Sequence, residues 1–182
     1  MTNNETRDIK ELKLFPIEEK TYGKRFNEHL LEQYKLYVEV ADKNSDRRST
    51  SNVFYLTLIS ALITIIGVLS QVDKPVGNIY FWWVAVASFS GIVFCLLWNT
   101  SIKCYRQLSE AKFKVINEIE KRLPVAVFAK EWDYLNQGTQ KTKYPQLTLV
   151  ERWIPLTFLV LFLSLLVISL VMANFSYLST LL

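Results

Sequence analysis

Across 182 residues the chain carries 21 Lys and Arg against 17 Asp and Glu, a formal net charge of +4, while 51% of its residues are hydrophobic. One histidine and two cysteines leave no ligand cluster for a metal and no framework of disulfides. A chain of this length cannot bury three all-round apolar helices in a soluble core, so the charge-free runs Ser49 to Val72, Pro75 to Ile102 and Trp153 to Leu182 predict an all-α integral membrane protein.

Residues 1–52 read as a cytoplasmic N-terminal segment and stalk helix. Phe26, Leu30, Tyr34, Tyr37 and Ala41 recur at steps that place them on one helical stripe, and Glu28, Glu32, Lys35, Glu39 and Lys43 occupy the opposite, solvated face. From Asp42 to Asn52 the sequence is polar all round and poor in helix formers, so the stalk is expected to loosen or break there. Residues 53–71 form the first transmembrane helix, because an apolar run of about 20 residues rising roughly 1.5 Å each matches a hydrocarbon core of roughly 30 Å. The long polar lead before this run, with no small-residue cleavage site after it, argues against a cleaved signal peptide. Residues 72–79 are a short external loop and 80–98 the second span.

Nothing stops the second helix at the membrane edge. Within 99–152, Ile102, Tyr105, Leu108, Lys112, Ile116, Ile119 and Leu123 keep helical spacing up to Pro124, with Lys112 snorkelling from the stripe. This extension is long enough to pack antiparallel along the N-terminal stalk, giving a cytoplasmic helical body built from long extensions of the first two spans. Val125 to Leu147 returns to the membrane as a loop-like segment containing Gly138 and Pro145, with Phe128, Trp132 and Tyr134 as anchors. Thr148 followed by Glu151 has the spacing of a capping box for the third span, 154–173, with Pro155 in its first turns, where a kink costs least. Residues 174–182 form an external tail.

Ten of the 21 basic residues lie before Asn52, ten between Lys103 and Arg152, and Lys74 alone elsewhere. Basic loops stay inside, so the N-terminus is expected in the cytoplasm and the C-terminus outside. Aromatic residues mark the same boundaries: Phe54 and Tyr55 at the first span, Tyr80, Trp82, Trp83 and Trp98 at the second, Trp153 and Tyr177 at the third.

No span holds a charge, which argues against a pathway for protons or coupled ions. His29 stands alone on a charged stalk, no phosphate loop occurs, and no hydroxyl has a nearby base. The chain is expected to be no enzyme and to need no cofactor or metal. Cys95 and Cys104 read as packing residues, and Glu118 and Glu120 as a solvated face.

Ser60, Thr64 and Gly67 on the first span and Ala87 and Gly91 on the second, with Ser164 on the third, are small or hydroxyl residues that let helices approach closely. They suit packing within a subunit, a subunit interface or the wall of a narrow pore. Arg47, Arg48, Lys103, Arg106 and Arg152 crowd the cytoplasmic edge of the spans, as positive-inside anchors or, repeated around a ring, as a collar for anionic headgroups or anions at a pore mouth. Nucleic acid is excluded as a partner, since ten acidic residues balance the ten basic ones before Asn52.

Tyr34 to Ala41 (YKLYVEVA), Asp46 to Leu58 (DRRSTSNVFYLTL), Tyr105 to Pro124 (YRQLSEAKFKVINEIEKRLP), Glu131-Trp132 and Val150 to Pro155 (VERWIP) resemble the RipA-like family of small octameric bacterial inner-membrane proteins. The resemblance covers about residues 30 to 160 and implies a homo-octamer in a bacterial inner membrane; it carries no catalytic residue. In layout alone, the chain is also similar to SLATT-type membrane effectors of bacterial defence. The expected function is a non-enzymatic, ring-forming scaffold or channel-like assembly whose partners are other copies of itself, membrane lipids and a cytoplasmic protein met by the stalks. The alternative is a gated pore-forming effector. Tyr34, Tyr37, Ala41, Tyr105, Leu108, Ile116 and Ile119 are the residues expected to pack the stalks or the oligomer.

Overall fold

The computed structural model describes residues 13–70, 79–137 and 147–179, all helical or irregular, with no strand among them. A short helix, α1 (Glu19–Tyr22), ends at Gly23, whose φ of 94° only glycine adopts without strain. Two very long helices follow, α2 (Phe26–Leu69) and α3 (Ile79–Glu120), then a short α4 (Val127–Gln137) and a long α5 (Leu147–Ser179). Three of these, α2, α3 and α5, are long and apolar enough to cross a membrane.

At 44 residues and a rise of about 1.5 Å, α2 is roughly 66 Å long, about twice the hydrocarbon thickness. Span and stalk are therefore one continuous helix, and the expected loosening between Asp42 and Asn52 does not occur. The reason is that polar side chains of this stretch find partners on neighbouring helices: Asn44 Nδ2 donates to Ser109 Oγ at 2.9 Å, the Ser51 and Ser101 hydroxyls meet at 3.2 Å, and Arg48 pairs with Glu151. Weak helix propensity is overridden by tertiary contacts.

Helix α3 is central, packing against α2, α4 and α5. It runs antiparallel to both α2 and α5. The apolar core inside the spans consists of Ile59 from α2, Cys95, Trp98 and Ile102 from α3 and Phe162 from α5, with Tyr55, Leu62, Ile92, Phe158 and Leu159 packed around it. Trp98, expected at the headgroup level, is instead 2% exposed. Its ring stacks on Tyr55 at 6.0 Å and its Nε1–H donates to Asn52 Oδ1 at 2.9 Å, so its polar atom is satisfied by protein.

Down the stalk, α3 ends at Glu120 in a tight turn, with Arg122 N donating to Ile119 O and Leu123 N to Glu120 O, just before Pro124. The return segment is less loop-like than expected, since Val127–Gln137 forms α4. Phe128 anchors it edge-on to Phe113 at 5.9 Å. Trp132 and Tyr134, also expected as anchors, stand 61% and 74% exposed and do not hold α4 to the stalks of their own chain. Gly138 and Pro145 lie outside the described residues, as does most of the loop 72–79.

Thr148 lies inside α5, which includes Leu147, so it is not the N-cap of a capping box. Glu151 is engaged instead by Arg48. Pro155 is tolerated within α5, and the helix continues past Ala173 to Ser179.

Candidate functional site

The contact face of α2 is a single stripe of 3- and 4-residue steps: Leu30, Tyr34, Tyr37, Ala41, Asn44, Arg48, Ser51, Tyr55, Ile59, Leu62 and Ile66 are all buried or half-buried. Its character changes with depth, apolar in the stalk, polar where the spans begin, and apolar again in the span. The polar zone is where a pair of helices would otherwise lose its driving force for close contact, since lipid competes for apolar surface but not for hydrogen bonds. Arg48 and Glu151, with side chains 18% and 20% exposed, tie α2 to α5 there.

At the membrane-distal end sits a second constellation. Glu120 is 1% exposed, a correction to its reading as part of a solvated face; Glu118 does lie outside, paired with Lys121 at 2.6 Å. A buried carboxylate must be compensated, and Glu120 accepts hydrogen bonds from Tyr34 Oη at 2.8 Å, Phe128 N at 3.1 Å and Ala129 N at 3.0 Å. The last two are orphan donors of the first turn of α4, so Glu120 caps α4 from another helix while Tyr34 ties it to α2. Burial, then the hydrogen bond to Glu120 and its charge, push the Tyr34 phenol up from 10.0 to about 12. The residue signal was present: Glu120 lies four residues after Ile116, on the same stripe.

The expected packing residues divide. Ile116 and Ile119 are 0% and 8% exposed and Ala41 is 8% exposed, so these pack within one chain. Tyr37 and Tyr105 are half-buried, with Lys112 Nζ lying 5.3 Å above the Tyr37 ring, the stem-along-the-stripe geometry expected of that lysine. Leu108 is 47% exposed, and Ser109 takes the place facing α2.

The small residues divide too. At Gly91 α5 approaches α3 closely: a Cβ there would meet the Phe162 ring at 2.6 Å. Ala87, one turn away, is half-buried. Ser60, Thr64 and Gly67, in contrast, are exposed, with nothing within 4 Å of a Cβ placed at Gly67. Thr64 Oγ1 donates to Ser60 O at 2.9 Å, and Ser164 Oγ to Leu161 O at 2.7 Å, which keeps both hydroxyls satisfied on open faces. Among the described residues, no other helix of the chain covers Ser60, Thr64 or Gly67. Of the basic collar, Arg48 and Arg106 are engaged by Glu151 and Glu110, the latter at 2.7 Å, while Arg47, Lys103 and Arg152 are exposed.

Only 6% of the most apolar stretch of α2 is buried within the chain, against 28% for α3 and 17% for α5. A membrane protein with this much uncovered helix surface has room for further copies of itself. The model of the octameric membrane protein family (8xMP) matches residues 31–171. The chain belongs to that family. The match takes in the α2 stripe from Tyr34 onward, the whole of α3 and α4, and α5 as far as Val171, so the Arg48–Glu151 and Glu120 constellations lie within the 8xMP region. Membership in 8xMP carries self-association with it. No curated protein and no solved structure matches the chain.

Proposed function

We propose that this 8xMP protein is a non-enzymatic homo-octameric scaffold of a bacterial cytoplasmic membrane, with its N-terminus and stalks in the cytoplasm and its C-terminus outside. The observation that carries the reading is the open face of α2 bearing Ser60, Thr64 and Gly67, a surface suited to close helix approach that no helix among the described residues covers. The stalks, tied together by the Glu120 constellation, hold α4 with its exposed Trp132 and Tyr134 away from the membrane, as a platform for a cytoplasmic protein partner. The orientation rests on the two basic blocks flanking the spans.

A second reading, a gated pore-forming effector, draws support from the same hydroxyls, which would suit the wall of a narrow pore. Ion flux through vesicles containing the purified protein separates the two. The scaffold predicts flux no greater than empty vesicles. Flux that Ser60→Leu and Thr64→Leu abolish would overturn the scaffold and establish the pore.

A further inference from the structure

The boundary between spans and stalks holds a cleft of about 270 Å³ between α3 and α5. Because the two helices run antiparallel, its lining separates by depth: Leu96, Leu156 and Leu159 form the side toward the spans, and Asn99, Arg152 and Trp153 the side toward the stalks. An apolar wall ending in a cation, an amide and an indole is the profile of a bilayer's own boundary, with acyl chain below and headgroup above. Trp153 is 64% exposed, its ring free to lie at headgroup level.

Among the described residues, cations outnumber carboxylates at this level. Glu151 is committed to Arg48 and Glu110 to Arg106, and Arg152 makes no ion pair among the described residues. Arg47 and Lys103 are exposed at the same level. A second copy of the chain would bring the same excess of positive charge to this level, whereas an anionic headgroup of the bilayer supplies the complementary charge. Guanidinium suits it, since its planar fork meets two phosphate oxygens at once.

We propose that this cleft binds one anionic glycerophospholipid per subunit, its phosphate on Arg152 and Asn99, its glycerol beside Trp153, and one acyl chain along Leu96, Leu156 and Leu159. Such a lipid would fill the seam between α3 and α5 at the point where the Arg48–Glu151 pair ties α5 to α2. The site rests on the membrane placement of the three spans and is independent of whether the assembly is a scaffold or a pore.

The test is native mass spectrometry of the full-length oligomer released from vesicles of mixed phosphatidylglycerol and phosphatidylcholine, counting each lipid retained per chain. Wild type should retain phosphatidylglycerol selectively. Arg152→Gln, which removes a charge, and Leu156→Trp, which fills the apolar half and leaves the charges, should each lower retention about tenfold or more, while Arg47→Gln should not. Arg152→Gln alters an exposed side chain and decides the matter should Leu156→Trp fail to fold. Equal losses in Arg47→Gln and Arg152→Gln with none in Leu156→Trp would reduce the effect to diffuse surface charge and overturn the site. Displacement of the lipid by inorganic phosphate would reassign it to free phosphate, and a smaller oligomer in Leu156→Trp would show a neighbouring subunit in the cleft; either result overturns the proposal.

Discussion

Glu120 is the residue on which most depends for its size. Replacing it by Ala leaves the Tyr34 hydroxyl and two amide donors of α4 without their acceptor, at a cost of roughly 1–3 kcal/mol for each group that water does not reach. Amide hydrogen exchange in 127–134 should rise sharply in Glu120→Ala while exchange across the spans stays as in wild type; protection unchanged in α4 would show that Phe128 packing alone holds it. The phenol of Tyr34 adds a pH signature. Its folded pKa of about 12 lies above the ordinary 10.0, so the protonated form is favoured by folding. Its contribution is complete below pH 10 and is lost as pH rises toward 12. Melting temperatures should therefore fall between these limits in wild type and fall less in Tyr34→Phe; parallel curves would remove Tyr34 from the alkaline transition. Gly91 makes an equally local demand. Gly91→Ala forces a methyl to within 2.6 Å of the Phe162 ring and should cost about 1–3 kcal/mol by overpacking, part of which Phe162→Leu should restore in the double variant. A double variant no more stable than Gly91→Ala would show that the close approach is not what the glycine serves.

At the scale of elements, what was legible in the sequence was what lipid and water enforce. Charge-free runs and the spacing of Phe26, Leu30, Tyr34, Tyr37 and Ala41 sufficed for three long helices and an apolar stalk stripe, because both patterns answer to solvent alone. Partner choice is another matter. The same polar composition that suggested a break at Asp42 to Asn52 instead places Asn44, Arg48 and Ser51 on the continuing stripe, where helices supply what water would otherwise supply. Trp98 illustrates the same point: an indole at a span's end is ambiguous between headgroup and core until Asn52 appears beside its Nε1–H. If these bonds hold the helix, Asn44→Ala with Asn52→Ala should raise amide exchange in 42–52 while leaving residues 26–41 protected. Even protection throughout the double variant would assign continuity to the backbone of α2 by itself.

For the whole molecule, the decisive fact is how little of each span the chain covers for itself. Residues that pack inside the protomer, Ile116 and Ile119 among them, could not be told from residues that meet another copy, because one stripe of sequence serves both. Leu36, Leu108 and the Ser60, Thr64 and Gly67 face are exposed in the protomer, and we propose them as the surfaces on which an 8xMP ring closes. Leu108→Lys should lower the oligomer without unfolding the protomer, seen as a smaller particle with unchanged helicity; a particle of undiminished mass would place Leu108 at solvent. The most direct measurement is the native mass of the detergent-purified protein together with averaged particle images. A ring of eight, at eight times the 21.2 kDa of one chain, is the expected result. A monomer or dimer would contradict it, and would leave the open faces of α2 to lipid alone.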